Sequence, residues 1–150
     1  MKDLVAYEKN EIVTQYKFGL LYATAGQTTE TDYYSNAHLV PDLIELMVAL
    51  GNFVELESWE GFNGGLDVSG KNITGGTSLF CRFENFYDIM FHVAPLIPCE
   101  PNDEQHIGRK RHLGNDMVIL VFTDSDIPFD PSGFQSHFNR TYSISNGILF

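Results

Sequence analysis

Basic residues are scarce in this chain: Lys and Arg number 9 against 20 Asp and Glu, for a formal net charge of -11. Nucleic-acid and anionic-membrane binders need a basic footprint to displace counterions or meet headgroups, so neither class fits. Cysteine is scarcer still. Cys81 and Cys99 make no Cys-x-x-Cys spacing, which excludes the usual thiolate metal patterns and predicts reduced cytosolic thiols. No apolar run approaches the roughly 18 residues of a membrane span, and no Arg/Lys-led apolar segment opens the chain. The expectation is a soluble, cytoplasmic protein, in which Asn72-Ile73-Thr74 and Asn139-Arg140-Thr141 match the glycosylation pattern only by accident.

Two catalytic signatures are also missing. The Gly64-Gly65 and Gly75-Gly76 pairs lack the Gly-x-x-x-x-Gly-Lys-Ser/Thr spacing whose amides and lysine cradle phosphates, so they are expected to be turns. A nucleotide site of the chain's own is therefore not expected. No Gly-x-Ser-x-Gly elbow supports serine-hydrolase chemistry. His38, His92, His106, His112 and His137 are scattered without metal spacing, and neither a metal nor a cofactor is expected. His92 lies in the apolar run Met90-Phe91-His92-Val93, which predicts a hydrogen-bonded structural histidine.

What the chain does have is core material, with 12 Phe and 7 Tyr in 150 residues, enough for one domain over 1–150. Apolar runs predict strands at Tyr16 to Thr24, around Phe53 to Leu56, at Thr77 to Phe83, at Asp88 to Val93 and at Met117 to Phe122. The last is nearly continuous and suits a strand buried on both faces. Thr29 ahead of acidic Glu30 and Asp32 predicts a short helix to about Asn36, and Pro41 to Gly51 bounds a stronger one. Gly61 to Asp67 is too glycine-rich for a regular element. Glu100 to Glu104 is an acidic exposed stretch, and Gln105 to Asn115 can form a helix. Ser132 can cap a further helix to about Asn139, and Asn146-Gly147 marks a hairpin between Tyr142 to Ser145 and Ile148 to Phe150. A hairpin cut off at Phe150 predicts truncation at the C-terminus. Helices mixed among strands give an α/β class.

The unusual segment is Arg109 to Asp116, where three cations and a histidine interrupt an acidic chain just before its most apolar strand. On a helix, Arg111 and His112 would share a face with Asn115. Read locally, Gly114-Asn115 is equally an ordinary helix stop with Arg109, Lys110 and Arg111 solvated.

The segment also belongs to a longer series. Tyr16-Lys17-Phe18-Gly19-Leu20-Leu21-Tyr22, Gly26-Gln27-Thr28, Gly61-Phe62-Asn63-Gly64-Gly65-Leu66-Asp67, Ile89-Met90-Phe91-His92-Val93 and Lys110-Arg111-His112-Leu113-Gly114-Asn115-Asp116 follow one another along the chain. In these blocks and their order the sequence resembles the Rap-GAP family, which includes tuberin and the Ral-directed activators. The resemblance implies a single α/β domain with a central mixed sheet flanked by helices. It further implies an activator that inserts an asparagine, the Asn thumb, into the nucleotide site of a Rap-like small GTPase. Asn115 takes that place. A carboxamide has both donor and acceptor and can orient the water that attacks the γ-phosphate, and the resemblance implies a partner that lacks the glutamine many GTPases use for this. GTP and magnesium belong to the partner. Arg109, Lys110, Arg111 and His112 are then expected to support the thumb or contact the GTPase, with Arg109 and Lys110 adding positive potential. Arg111 as an arginine finger is the competing mechanism. Pro128-Phe129-Asp130-Pro131 with Phe134 and Phe138 is closer to the Rap-directed branch, and a non-catalytic GTPase- or scaffold-binding role, or a Ral- or Rheb-like partner, are the alternatives.

Overall fold

The computed structural model describes residues 12–124, 126 and 130–134, with the backbone of 140–145 and 148–149. Strands β1 (Gln15–Ala23), β2 (Asn52–Glu55), β3 (Thr77–Phe83), β4 (Tyr87–Val93), β5 (Val118–Thr123), β6 (Arg140–Ser145) and β7 (Ile148–Leu149) form one sheet ordered β2-β3-β4-β1-β5-β6-β7. Parallel pairing joins β1 to both β4 and β5, and β5 to β6, whereas the β2-β3-β4 and β6-β7 pairs are antiparallel. The sheet is thus mixed, with β1 at its centre.

Helices α1 (Glu30–Ser35), α2 (Pro41–Leu50) and α3 (Ile107–Leu113) cover it. Alternation along β1 supplies both faces, as the two-residue period of a strand requires. Leu20 and Tyr22 pack with Leu43 and Met47 of α2, together with Phe91, Val93 and Phe122. Leu21 and Ala23 pack on the opposite face with Tyr33 and Tyr34 of α1, Leu113 of α3, Met90, Ile119 and Val121. Ile119 and Val121 therefore point one way and Phe122 the other, the double-sided burial expected of β5.

Helix α1 opens as its sequence predicts. Thr29 Oγ1 accepts from Asp32 N, while Asp32 Oδ2 accepts from Thr29 N, a reciprocal capping box. Pro41 stands at the first turn of α2.

Three boundaries differ from expectation. Helix α3 is shorter than Gln105 to Asn115: His106 takes a left-handed backbone with φ 54°, which stops extension upstream, and Gly114 closes the other end. Strand β2 ends at Glu55, and Leu56 turns into the core. Asp130, not Ser132, makes the last cap: its Oδ1 accepts from Ser132 N above a 3₁₀ turn, Pro131–Gly133. The remainder of that expected helix, 135–139, and the hairpin turn 146–147 lie outside the described residues. The strands flanking that turn pair antiparallel, Ser145 with Ile148.

Candidate functional site

At seven residues, α3 is too short to be stable by helix propensity alone, so its position is set by what anchors it. Leu113 is fully buried, an anchor of about 2 kcal/mol by area removed from water. Asp103, in the acidic stretch, supplies the other end. Its two carboxylate oxygens accept from the free amides of Ile107 and Gly108 at 2.8 and 2.9 Å, and these bonds hold its carboxyl below the ordinary range.

Arg109 is the third anchor and corrects a sequence expectation. Its side chain does not add surface charge: the residue is 2% exposed, and its guanidinium donates to three backbone carbonyls. Nε bonds Ile97 O at 2.8 Å, and Nη1 bonds Tyr34 O and, at 3.2 Å, Asn36 O. The fixed fork of Arg suits it to tie α3 to α1 and to the segment after β4. Lys110 stays half-buried, with Nζ 3.8 Å from Glu30 Oε2 and 5.8 Å from the Tyr34 ring centre. Much of its charge is spent within the fold.

Arg111 and Asn115 are exposed. Asn115 lies just beyond α3, yet the one-turn relation to Arg111 survives through its side chain: Nδ2 donates to Arg111 O at 2.9 Å. Gly114 makes the tight exit possible, because a Cβ there would sit 2.7 Å from Lys110 O. The Asn115 carbonyl oxygen accepts no hydrogen bond among the described residues, and the amide retains a second N–H. A compact, exposed carboxamide is thereby held by one bond, with its acceptor uncommitted among the described residues.

Directly beneath lies a buried polar pair. Asp116 and His92 are each 1% exposed, with Asp116 Oδ2 2.9 Å from His92 Nδ1. His92 Nε2 is 2.8 Å from Gly64 O, and a carbonyl only accepts, so Nε2 carries a proton. Burial raises the Asp116 carboxyl, opposed by the hydrogen bond to His92 and by the Lys17 charge. His112 packs edge-on against His92, ring centres 5.4 Å apart. Burial, then the neighbouring His92, Arg111 and Lys17, bring its pKa down to about 4. A helix C-terminus favours imidazolium, so desolvation and like charge outweigh the dipole here.

His92 is thus the structural histidine expected from its apolar setting. Asp116 and the Gly64 carbonyl were not anticipated as its partners, and only their adjacency to Asn115 and to the Gly61 to Asp67 loop hinted at them. That loop is ordered by its own side chains: Asn63 Oδ1 accepts from Gly65 N, Asn63 Nδ2 donates to Leu66 O, and Trp59 Nε1 donates to Phe62 O. Among the described residues no group of His, Cys, Asp and Glu could hold a metal ion, and no helix is long and apolar enough to cross a membrane.

Residues 33–145 match the family model of the Rap/ran-GAP domain, and the chain belongs to that family. It is 40% identical over 146 residues to RapA guanosine triphosphatase-activating protein 1 of Dictyostelium discoideum, covering 96% of this chain and 14% of that protein. It is 36% identical over 146 residues to GTPase-activating Rap/Ran-GAP domain-like protein 3 of Gallus gallus, covering 95% of this chain and 16% of that one. The chain thus spans about one-seventh of such relatives. Among solved structures, the TSC2 GAP domain superposes with a TM-score of 0.79 at 33% identity, over 87% of this chain and 69% of that chain.

Proposed function

We propose that this domain stimulates GTP hydrolysis by a Rap-class small GTPase in the cytoplasm, with the Asn115 carboxamide entering the partner's nucleotide site to orient the attacking water. The observation that carries the reading is the placement of Asn115: exposed at the end of α3, its oxygen uncommitted among the described residues, between the buried anchors Leu113 and Asp116. Phosphoryl transfer through a loose transition state asks mainly for positioning, so one pre-placed amide can account for a large part of the stimulation. The family match and the name of the Dictyostelium relative support a small GTPase of the Rap class as partner. GTP and magnesium stay with that partner. Arg111, exposed one turn before Asn115, and Lys17 contribute positive potential toward it, and His112 supports the thumb from below.

The test is single-turnover GTP hydrolysis by purified Rap, Ral, Rheb and Ras proteins with the domain and its variants. Asn115→Ala abolishes stimulation, a loss of roughly 100-fold or more, while complex formation persists. Failure of the folded domain to stimulate any of the four removes the activator reading. Loss of turnover in Arg111→Ala with little change in Asn115→Ala makes Arg111 the catalytic group instead.

A further inference from the structure

We infer that His92 and Asp116 are positioning residues for Asn115, a buried pair sharing one proton that clamps the loop 114–116 against the sheet and against the loop 61–67. The inference rests on Asn115 being the group that acts on the partner's nucleotide. Because His92 Nε2 donates to Gly64 O, a single proton lies between His92 Nδ1 and Asp116 Oδ2, whether formally on the imidazole or on the carboxyl. Three segments distant in sequence therefore meet at one ring: β4, the loop 61–67 and the loop leaving α3.

The geometry bears directly on Asn115. Its Cα is one peptide unit, about 3.8 Å, from that of Asp116. Asp116 is held through its side chain by His92 and through its backbone N by Leu113 O at 3.1 Å. On the other side Leu113 is buried and the amide of Gly114 bonds back to Lys110 O. Only Gly114 and Asn115 are exposed between two fixed points, so the seat of Asp116 helps fix the backbone from which the Asn115 side chain reaches Arg111 O.

Stability alone does not explain the pair. Buried ion pairs are commonly replaced by apolar residues without loss, because desolvation offsets their attraction. This one carries an additional cost: Asp116 Oδ1 is buried and has no hydrogen-bond partner among the described residues. The carboxyl is also closely packed: a Cβ on Gly19 would lie 3.3 Å from Asp116 Oδ2, as well as 3.1 Å from Leu113 Cδ2 and 3.2 Å from Ile119 Cγ1. A costly buried pair next to an exposed carboxamide is what fixing that carboxamide requires.

Asp116→Asn and His92→Gln keep the approximate size of each group while changing the proton arrangement. Met47→Val, buried under α2 on the opposite sheet face, controls for general destabilisation. In the domain alone, NMR relaxation of the Asn115 side-chain amide is expected to show lower order in both pair variants and wild-type order in Met47→Val. With the responsive GTPase, both pair variants are expected to lose roughly 10- to 100-fold in stimulated kcat with KM within about threefold. Unchanged amide order in either folded pair variant overturns the inference, as does lowered order with undiminished kcat. Failure of both variants to fold also overturns it, because the pair is then a folding determinant. If the wild type stimulates no GTPase, the functional reading fails on its own, and the amide order still decides whether the pair positions Asn115.

Discussion

Gly19 and Asp116 fit together across the central strand. Gly19 lies opposite His92 on β4 and Ile119 on β5, and a Cβ on it would come 3.3 Å from Asp116 Oδ2, 3.1 Å from Leu113 Cδ2 and 3.2 Å from Ile119 Cγ1. The glycine in the middle of β1 is therefore a space left for the end of α3. Its φ lies outside the left-handed region, so contact rather than backbone conformation opposes a side chain there.

Gly19→Ala accordingly tests packing. Overpacking a dense core costs about 1–3 kcal/mol, and the gain in strand propensity over glycine, roughly 0.5–1 kcal/mol, offsets part of it. The expected net loss is about 1 kcal/mol in urea unfolding, accompanied by chemical-shift changes at Leu113 and Asp116. A variant as stable as wild type, with those shifts unmoved, contradicts the close approach.

Arg109 and Arg111 are two residues apart in sequence, with opposite environments. Arg109→Ala leaves the carbonyls of Tyr34, Asn36 and Ile97 without their donor and opens a cavity, at an expected cost of about 3 kcal/mol or more. Arg109→Lys recovers little, because an ammonium cannot reproduce the fork. Arg111→Ala stays within about 0.5 kcal/mol of wild type, since its side chain is exposed. Thermal unfolding of the three variants checks the contrast, and equal melting temperatures would sink the buried role of Arg109.

How much of this was legible in sequence follows from the range of the interactions. Strands β1, β3, β4 and β5 and helix α2 announce themselves through contiguous apolar runs and through Pro41 and Gly51, all local signals. The cluster from Arg109 to Asp116 also stood out, by charge against an acidic background. What the cluster does inside the fold was not legible. The partners of Arg109 are carbonyls of residues 34, 36 and 97, and every residue has a carbonyl, so no side-chain pattern points to them. His92 is recognisable as buried, but its link to Asp116 spans 24 residues. The start of α3 escapes a local reading because Asp103 caps it from outside the helix, four residues before Ile107, while His106 bends the chain between.

The two glycines of the α3 segment should respond in opposite directions. Gly108 is in the first turn, where an added Cβ meets only Asp103 Oδ2 at 3.7 Å and Pro98 O at 3.8 Å, ordinary contacts. Gly108→Ala should therefore stabilise by about 0.4–1 kcal/mol through helix propensity and a less flexible unfolded chain. At Gly114 the added Cβ would sit 2.7 Å from Lys110 O, so Gly114→Ala must displace the exit from α3. It should lose stability and stimulated GTP hydrolysis together. Denaturant midpoints for both variants decide the matter: a stabilised Gly114→Ala or a destabilised Gly108→Ala contradicts the geometry.

His112 makes the stability of the fold depend on pH in a definite direction. Its folded pKa is about 4, against an ordinary value of 6.5, because burial first, and then the neighbouring His92, Arg111 and Lys17, disfavour imidazolium. Above pH 6.5 the ring is neutral in both folded and unfolded chains and contributes no slope. Between about 6.5 and 4 the unfolded chain binds a proton that the folded chain refuses, so stability falls as the pH falls, and the loss levels off below 4. His106, also lowered chiefly by burial, adds to the same trend, whereas the carboxylates of Asp67, Asp88 and Asp103 have lowered values and contribute mainly below their ordinary 3.8. Between pH 7 and pH 5 the lowered carboxylates change little, but Asp116, raised by burial, works in the opposite direction. The urea midpoints at pH 7 and pH 5 therefore differ by both effects, and the change in that difference on replacing His112 is what isolates its ring. His112→Gln should lower stability at both values through lost packing on His92 but shrink the difference between them. A difference as large as in wild type would mean that His112 ionises freely in the folded domain, and that its ring is not seated against the pair beneath Asn115.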